Sequence, residues 1–224
     1  MMAQHAIEYL DRLDANLILA PERYDPRRRK LPVKRAVADI VQIINDQIHP
    51  ARENHTGRQY LVLDTGDAYE GVVLTNKPPV HLNEIGSAKK LAKAGDVIIS
   101  RLRPYLRQVA YIDEGLMARS DDLTSLACST EFYVLRSKDT QSIAFLVPYL
   151  LSKAVQEILR AAQEGGHHPR FNQATIENLS IPDWLMTQRE DISAATESAI
   201  NSIRLGNLSL EVLVKQCSGH PDYP

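Results

Sequence analysis

Between Gln188 and Lys215, apolar and small residues recur at alternating spacings of three and four: Ile192, Ala195, Ala199, Ile203, Gly206, Leu210 and Leu213. This spacing is the seam of a coiled-coil-like helix over nearly four heptads. At about 1.5 Å per residue a straight helix of that length reaches roughly 40 Å. A stripe so long cannot be hidden against one small domain, so the chain must offer it to another helix. The alanines and Gly206 permit close approach of that helix. Gly206 and Asn207 also weaken its middle, where a kink or break is expected.

The residues before this unit read as a β-rich domain with flanking helices. Val33, Val37, Ile40, Val41 and Ile44 have helical spacing. Gln59 to Leu63 reads as a short strand and Asp64-Thr65-Gly66-Asp67 as a turn. Asp96 to Arg101, entered through Gly95, and Gln108 to Ile112 are β-rich runs separated by Pro104. Leu126 to Leu135 reads as one half-buried strand with alternating faces, one more apolar than the other. Ser142 to Ala162 carries Ile143, Leu146, Val147, Leu150, Leu151, Val155, Ile158 and Leu159 as a helical stripe. That helix should start near Val147, with Pro148 at a tolerated early position, and end at Gly165-Gly166. Thr175 to Leu179 reads as a short helical turn capped by Asn172, and Phe171 as a core anchor. The expected class is α/β (α+β). The expected divisions are an N-terminal arm over 1–31, the β-rich domain over 32–184, the long helix over 185–216 and a tail over 217–224.

With 44% hydrophobic and 24% charged residues in 224, the chain can build a sizeable core and is not of disordered composition. The net charge of -2 does not by itself suggest a nucleic-acid partner, but it averages over faces and leaves room for a local basic patch. The two cysteines, Cys128 and Cys217, form no disulfide framework and have no metal-ligand spacing. The start of the chain is broken by Asp11, Arg12 and Asp14 and lacks a signal pattern. No apolar run approaches the ~18 residues of a membrane span. A soluble, cytoplasmic protein is expected.

Motifs for chemistry are missing. There is no P-loop, no Gly-x-Ser-x-Gly and no Glu-x-Lys strand with paired acids. A methyltransferase acting on an exocyclic amine would need a Gly-rich cofactor loop and an Asn/Asp-Pro-Pro-aromatic motif. The one Pro-Pro, Pro78-Pro79, follows Lys77 and precedes Val80. His167-His168 in a Gly-rich loop and the carboxylates Asp64, Asp67 and Glu70 are better read as loop and solvated turn than as metal sites. No catalytic residue, metal or cofactor is expected on this chain.

The residues suited to nucleic acid are basic and clustered. Arg101, Arg103 and Arg107 fall within seven positions, with Tyr105 between them. Arginine presents a planar fork that matches guanine or phosphate. The same arginines are equally open to pairing with domain carboxylates such as Asp96 or Glu131. Lys89, Lys90 and Lys93 precede them on an expected amphipathic turn, either as a solvated face or as phosphate contacts. His167, His168 and Arg170 lie in a loop that could reach DNA or simply fix itself. Arg27, Arg28, Arg29 and Lys30 make a further basic cluster, read as a solvated loop or a phosphate-contacting arm.

Three segments, in order and at this spacing, resemble the target recognition domain of type I restriction–modification specificity subunits. They are Gly95 to Ile112, then Cys128-Ser129-Thr130-Glu131-Phe132-Tyr133-Val134-Leu135-Arg136, then Gly165-Gly166-His167-His168-Pro169-Arg170-Phe171-Asn172. Ile181-Pro182 and Gln188-Arg189-Glu190, followed by Ile192, look like that family's passage into its spacer helix. The resemblance covers most of 31–205. It implies a non-catalytic subunit that reads double-stranded DNA and directs a DNA methyltransferase subunit, with or without a translocating nuclease subunit. S-adenosylmethionine would then belong to the methyltransferase partner alone. The family usually has two recognition domains and two spacer helices in one chain, whereas this sequence shows one of each. It therefore looks like a half-subunit that pairs with a second copy or a different half through Ile192, Ala195, Ala199, Ile203, Leu210 and Leu213, or else like a truncated remnant of a specificity subunit. The alternatives are a scaffold protein derived from a specificity subunit, without DNA reading, and a self-contained DNA enzyme, which the missing motifs disfavour.

Overall fold

Every residue of Val97–Ser100 is buried, so its sheet must be covered on both faces. The computed structural model describes residues 35–50, 58–118 and 123–218. The basic cluster Arg27–Lys30 lies outside the described residues. In chain order the strands are β1 (Val41–Ile44), β2 (Gln47–Ile48), β3 (Gln59–Leu63), β4 (Ala68–Tyr69), β5 (Val72–Val73), β6 (Val80–His81), β7 (Lys89–Ala92), β8 (Val97–Ser100), β9 (Val109–Tyr111), β10 (Leu123–Cys128) and β11 (Phe132–Ser137). The helices are α1 (Val37–Ile40), α2 (Glu114–Met117), α3 (Leu146–Leu151), α4 (Lys153–Ala161), α5 (Gln173–Glu177), α6 (Asp183–Thr187) and α7 (Arg189–Ser218).

Strand alternation sorts these elements into layers. An antiparallel sheet in the order β1-β11-β8-β9 forms the middle. Val97, Ile99, Tyr133 and Leu135 turn to one side and pack with Phe145, Leu146, Leu150, Val155, Leu159, Phe171 and Ile176. Ile98, Phe132 and Val134, one residue out of step, pack with Leu61, Leu63, Leu126 and Cys128 of a second sheet. That sheet runs β2-β7-β10-β3-β6, with β10 and β3 parallel. Its far face buries Tyr60 and Ala127 with Leu82 and Ile85. The α/β class read from the sequence is the class observed.

Several local expectations change. Of the helical spacing read from Val33, the described residues hold the single turn α1, and the chain then becomes the edge strand β1, whose Ile43 pairs with Leu135. Leu126 to Leu135 is not one strand. Phe132 N donates to Ser129 O at 3.0 Å, and this turn sends β10 and β11 into different sheets. Ser142 to Ala162 is two helices, because Ser152 takes an extended backbone and its hydroxyl accepts from Val155 N as the cap of α4. The second helix stops at Ala161, ahead of the glycine pair. Lys89 and Lys90 lie on strand β7 rather than on an amphipathic turn. Asn172 caps α5 through Thr175 N, and Phe171 is buried, both as expected.

The helix α7 runs unbroken through Gly206. Its contact with the domain is largely polar, with Ile192 and Ile200 the apolar side chains in it. Arg189, 5% exposed, donates to both Asp139 oxygens at 2.9 Å, to Ser142 O at 3.0 Å and to Gln141 O at 3.0 Å. Its guanidinium also lies 5.6 Å from the Phe145 ring centroid. Further along, Glu197 Oε1 accepts from Tyr111 Oη at 3.1 Å and Ser142 Oγ at 2.5 Å. Ile200 is buried, and Arg204 pairs with Asp113, the N-cap of α2. A Cβ at Gly115 would stand 3.3 Å from Arg204 Cδ, so glycine leaves the room that Arg204 takes.

Asp96 is fully buried where the chain enters β8 and takes Arg136 in a bidentate pair at 2.8 and 2.7 Å. Asp96→Ala is expected to lower unfolding stability by about 1–3 kcal/mol in urea titrations, since it leaves the Arg136 guanidinium and the Lys93 N–H without their acceptor. The second expected outcome concerns acid. Hydrogen bonds from Arg189 hold the Asp139 carboxyl down at about 2. A carboxyl depressed from its usual ~4 stabilises the fold fully above ~4 and ceases to do so as pH falls through the folded value. Wild-type Tm should therefore converge on that of Asp139→Asn between about pH 4 and pH 2. A constant gap across that window would remove this anchor from the account.

Candidate nucleic-acid interface and partner helix

Four arginines meet at one end of the middle sheet. Arg101 follows β8. Arg103 and Arg107 flank the 3₁₀ turn Pro104–Leu106, and both have left-handed backbone, with φ of 48° and 53°. Non-glycine residues take that conformation at a cost of roughly 1 kcal/mol each, so two around one turn mark a loop held in place by its surroundings. Backbone bonds do the holding. Arg103 N donates to Pro169 O at 2.8 Å and Phe171 N to Arg101 O at 3.2 Å. The loop after α4 and the loop after β8 are thus stitched into one surface. Gly165, at φ +92°, supplies the turn that brings the later loop back.

Carboxylates set the directions of these cations. Glu131, in the turn between β10 and β11, accepts from Arg101 Nε at 2.9 Å and from Arg170 Nη2 at 2.8 Å and Nε at 3.0 Å. The two guanidiniums, Arg170 first, hold the Glu131 carboxyl below the usual carboxylate range. Arg107 Nε donates to Glu70 at 2.6 Å. Arg103 Nη2 lies 3.0 Å from His168 Nδ1, which therefore accepts, so the ring proton sits on Nε2. Tyr105 is 53% exposed beside them. His167 is exposed on the same loop.

The lysines are placed differently. Lys90 is buried, with Nζ donating to Phe132 O at 2.9 Å and lying 5.5 Å from the Tyr133 ring centroid. Burial lowers its pKa. Its ammonium is turned inward, which corrects its assignment to a DNA-facing surface. Lys89 is half-buried and donates to Ser87 Oγ at 2.9 Å.

The carboxylates Asp64 and Asp67 share Lys77, at 2.8 and 2.5 Å, as counter-ion. Among the described residues no group of histidine, cysteine and acidic side chains is arranged to hold a metal. Burial pushes the Cys128 thiol up to about 12, which suits a packing residue. Sequence reasoning named Glu131 only as one possible counter-ion, read Glu70 as part of a solvated turn and not as the partner of Arg107, and did not name the exposed Tyr69. A turn between two sheets is invisible when its flanking strands read as one.

The expected partner seam faces outward. Ala195, Ala199, Ile203, Leu210 and Leu213 are exposed and Ile192 is half-buried. The buried positions of α7 are Arg189, Ser193, Ile200 and Arg204, on a neighbouring face. Leu205, Leu208, Val212 and Val214 are exposed as well. A groove of about 1010 Å³ runs between this part of α7 and the segment from Val73 to Lys77. Among the described residues no helix is long and apolar enough to cross a membrane.

The model for the type I restriction modification DNA specificity domain matches residues 33–189. Two solved structures share the fold. One is described as the structural basis underlying complex assembly and conformational transition of the type I R-M system. It matches with a TM-score of 0.55 and 21% identity, over 87% of this chain and 52% of that one. The other is the HsdS subunit from Thermoanaerobacter tengcongensis, with a TM-score of 0.52 and 20% identity, over 85% and 50%. The chain thus spans about half the length of the solved chains it matches. No curated protein matches the sequence.

Proposed function

The chain belongs to the type I restriction modification DNA specificity domain family, and we propose that it reads a double-stranded DNA sequence and directs a partner DNA methyltransferase to it. The observation that carries this reading is the stitched surface of Arg101, Arg103 and Arg107, braced by Arg170, with exposed Tyr105. It offers forks and a hydroxyl at fixed positions, and base reading needs donors held in place. Catalysis and S-adenosylmethionine are assigned to the methyltransferase subunit, and a translocating nuclease subunit would add restriction. The site of action is the cytoplasm.

On this reading residues 32–184 are the recognition domain and 185–216 the spacer helix. Its outward seam from Ala195 to Leu213 takes a second spacer helix, from another copy or from a different half. A second copy related by a two-fold axis would make the target a palindromic bipartite site.

Arg101→Ala with Arg103→Ala should weaken specific DNA binding by the chain and its co-purified partners. Each lost contact is worth about 1–3 kcal/mol, or roughly tenfold or more in affinity. Unchanged binding in a titration against the selected target would take both residues out of the site, and binding of no duplex at all would favour the scaffold reading. Ile203→Asp should shift the assembly towards smaller species in light scattering, because it sets a charge in an apolar seam. An unaltered mass would mean that the seam joins nothing outside this chain.

A further inference from the structure

Glu131 accepts from two arginines that arrive from distant parts of the chain, and it treats them unequally. Arg170 gives it Nε and Nη2, and spends Nη1 on His168 O at 3.0 Å. All three nitrogens of that guanidinium are engaged. Arg101 gives it Nε alone. The guanidinium of Arg101 has one further side-chain partner, the hydroxyl oxygen of Tyr133. The neighbouring Tyr133 hydroxyl directs its proton to Phe171 O at 3.1 Å. The Arg101 side chain is 38% exposed, and the N–H groups that Glu131 and Tyr133 do not take are left for a ligand.

Arg101 is also fixed through its backbone, with N donating to Glu131 O at 2.9 Å and O accepting from Phe171 N. An arginine pinned at its backbone and at Nε keeps little freedom, and the plane of its guanidinium is set. A phosphate presents lone pairs over a wide range of directions and does not require such a plane. The O6 and N7 acceptors of guanine lie in the plane of the base, and a bidentate fork must be coplanar with them. A side chain already ordered before binding also loses less on binding.

We propose that Glu131 is the positioning residue of the reading surface: it orients the terminal fork of Arg101 for a guanine edge in the major groove, while Arg170 is a brace and not a reader. The inference rests on the DNA-reading function proposed above. Glu131 touches no DNA in this account and acts through Arg101.

The test is selection from a pool of random duplexes, using the full chain with the partner subunits that co-purify with it. Wild type, Glu131→Gln and Arg101→Ala are compared for the motif each enriches and for the salt dependence of binding. Wild type should enrich a motif containing a guanine. Both variants should lose preference at that one base pair by about tenfold or more, while keeping the rest of the motif and the melting temperature. Retention of the full wild-type preference by Glu131→Gln overturns the positioning role. A uniform loss in Arg101→Ala across all duplexes, with a shallower salt slope, makes Arg101 a phosphate contact and overturns the guanine assignment. A misfolded Glu131→Gln would show as a lowered melting temperature, and Arg101→Lys then decides. That variant keeps the charge but not the fork, so an unchanged preference at the guanine overturns the inference. Enrichment of no motif by wild type overturns the DNA-reading function itself, and this inference with it.

Discussion

A long helix can lie on a domain by its apolar face or by its polar face, and α7 uses its polar face. Arg189, Ser193, Glu197 and Arg204 make its contacts through hydrogen bonds and ion pairs, with Ile200 the apolar side chain buried among them. The seam from Ala195 to Leu213 is left outside as a consequence, while Ile192 at its start packs on the domain core. Buried ion pairs contribute less stability than the same area of well-packed hydrocarbon, but a mispaired one is strongly disfavoured. Such a contact is therefore better at fixing rotation and register than at adding stability. The domain determines the rotation of α7 and so which of its faces stays exposed.

The same logic operates at the other end of the molecule. A net charge of -2 argues against binding DNA by bulk attraction. Arg101, Arg107 and Arg170 are each matched to Glu131 or Glu70. These pairs lower the local positive charge, yet they hold guanidinium groups in place that would otherwise sweep through solvent. On the proposed function the cost falls on non-specific affinity, which depends on the number of phosphates neutralised. The gain is in discrimination, which depends on donors meeting base edges at fixed positions.

The layers were legible in the sequence wherever period and burial agreed. The β8 and β9 runs, the strand Gln59–Leu63, the Asn172 cap and the Phe171 anchor all depend on local chemistry, and each stands where the sequence placed it. The failures share a cause, which is that tertiary packing chose between local options. Leu126 to Leu135 alternates like one strand, but two sheets compete for it and Ser129-Thr130-Glu131 turns between them. Ser142 to Ala162 carries a continuous stripe, yet Ser152 caps a second helix inside it. Lys90 looks like a surface cation because nothing nearby in sequence announces Phe132 O as its partner. Gly206 was expected to break a helix that runs through it, since a residue-level propensity of about 1 kcal/mol is small against the hydrogen bonds of a 30-residue helix.

The turn that hid β10 and β11 as separate strands is also the turn that carries Glu131. A chain passing from one sheet to the next must leave both, and its backbone there is free to present a side chain at the sheet edge. Glu131 is presented in that way to Arg101, which exits β8, and to Arg170, which returns from α4. Neither arginine is near Glu131 in sequence, so their arrangement is a property of how the two sheets and the helical layer meet. A change in the length of the loop after α4 would move Arg170 without moving the carboxylate, whereas Arg101 stays pinned to Glu131 by its backbone. Loops of this kind can vary in sequence while the sheets, the turn and the long helix stay as they are. On the proposed function, a new DNA target then requires only new loops on an unchanged frame.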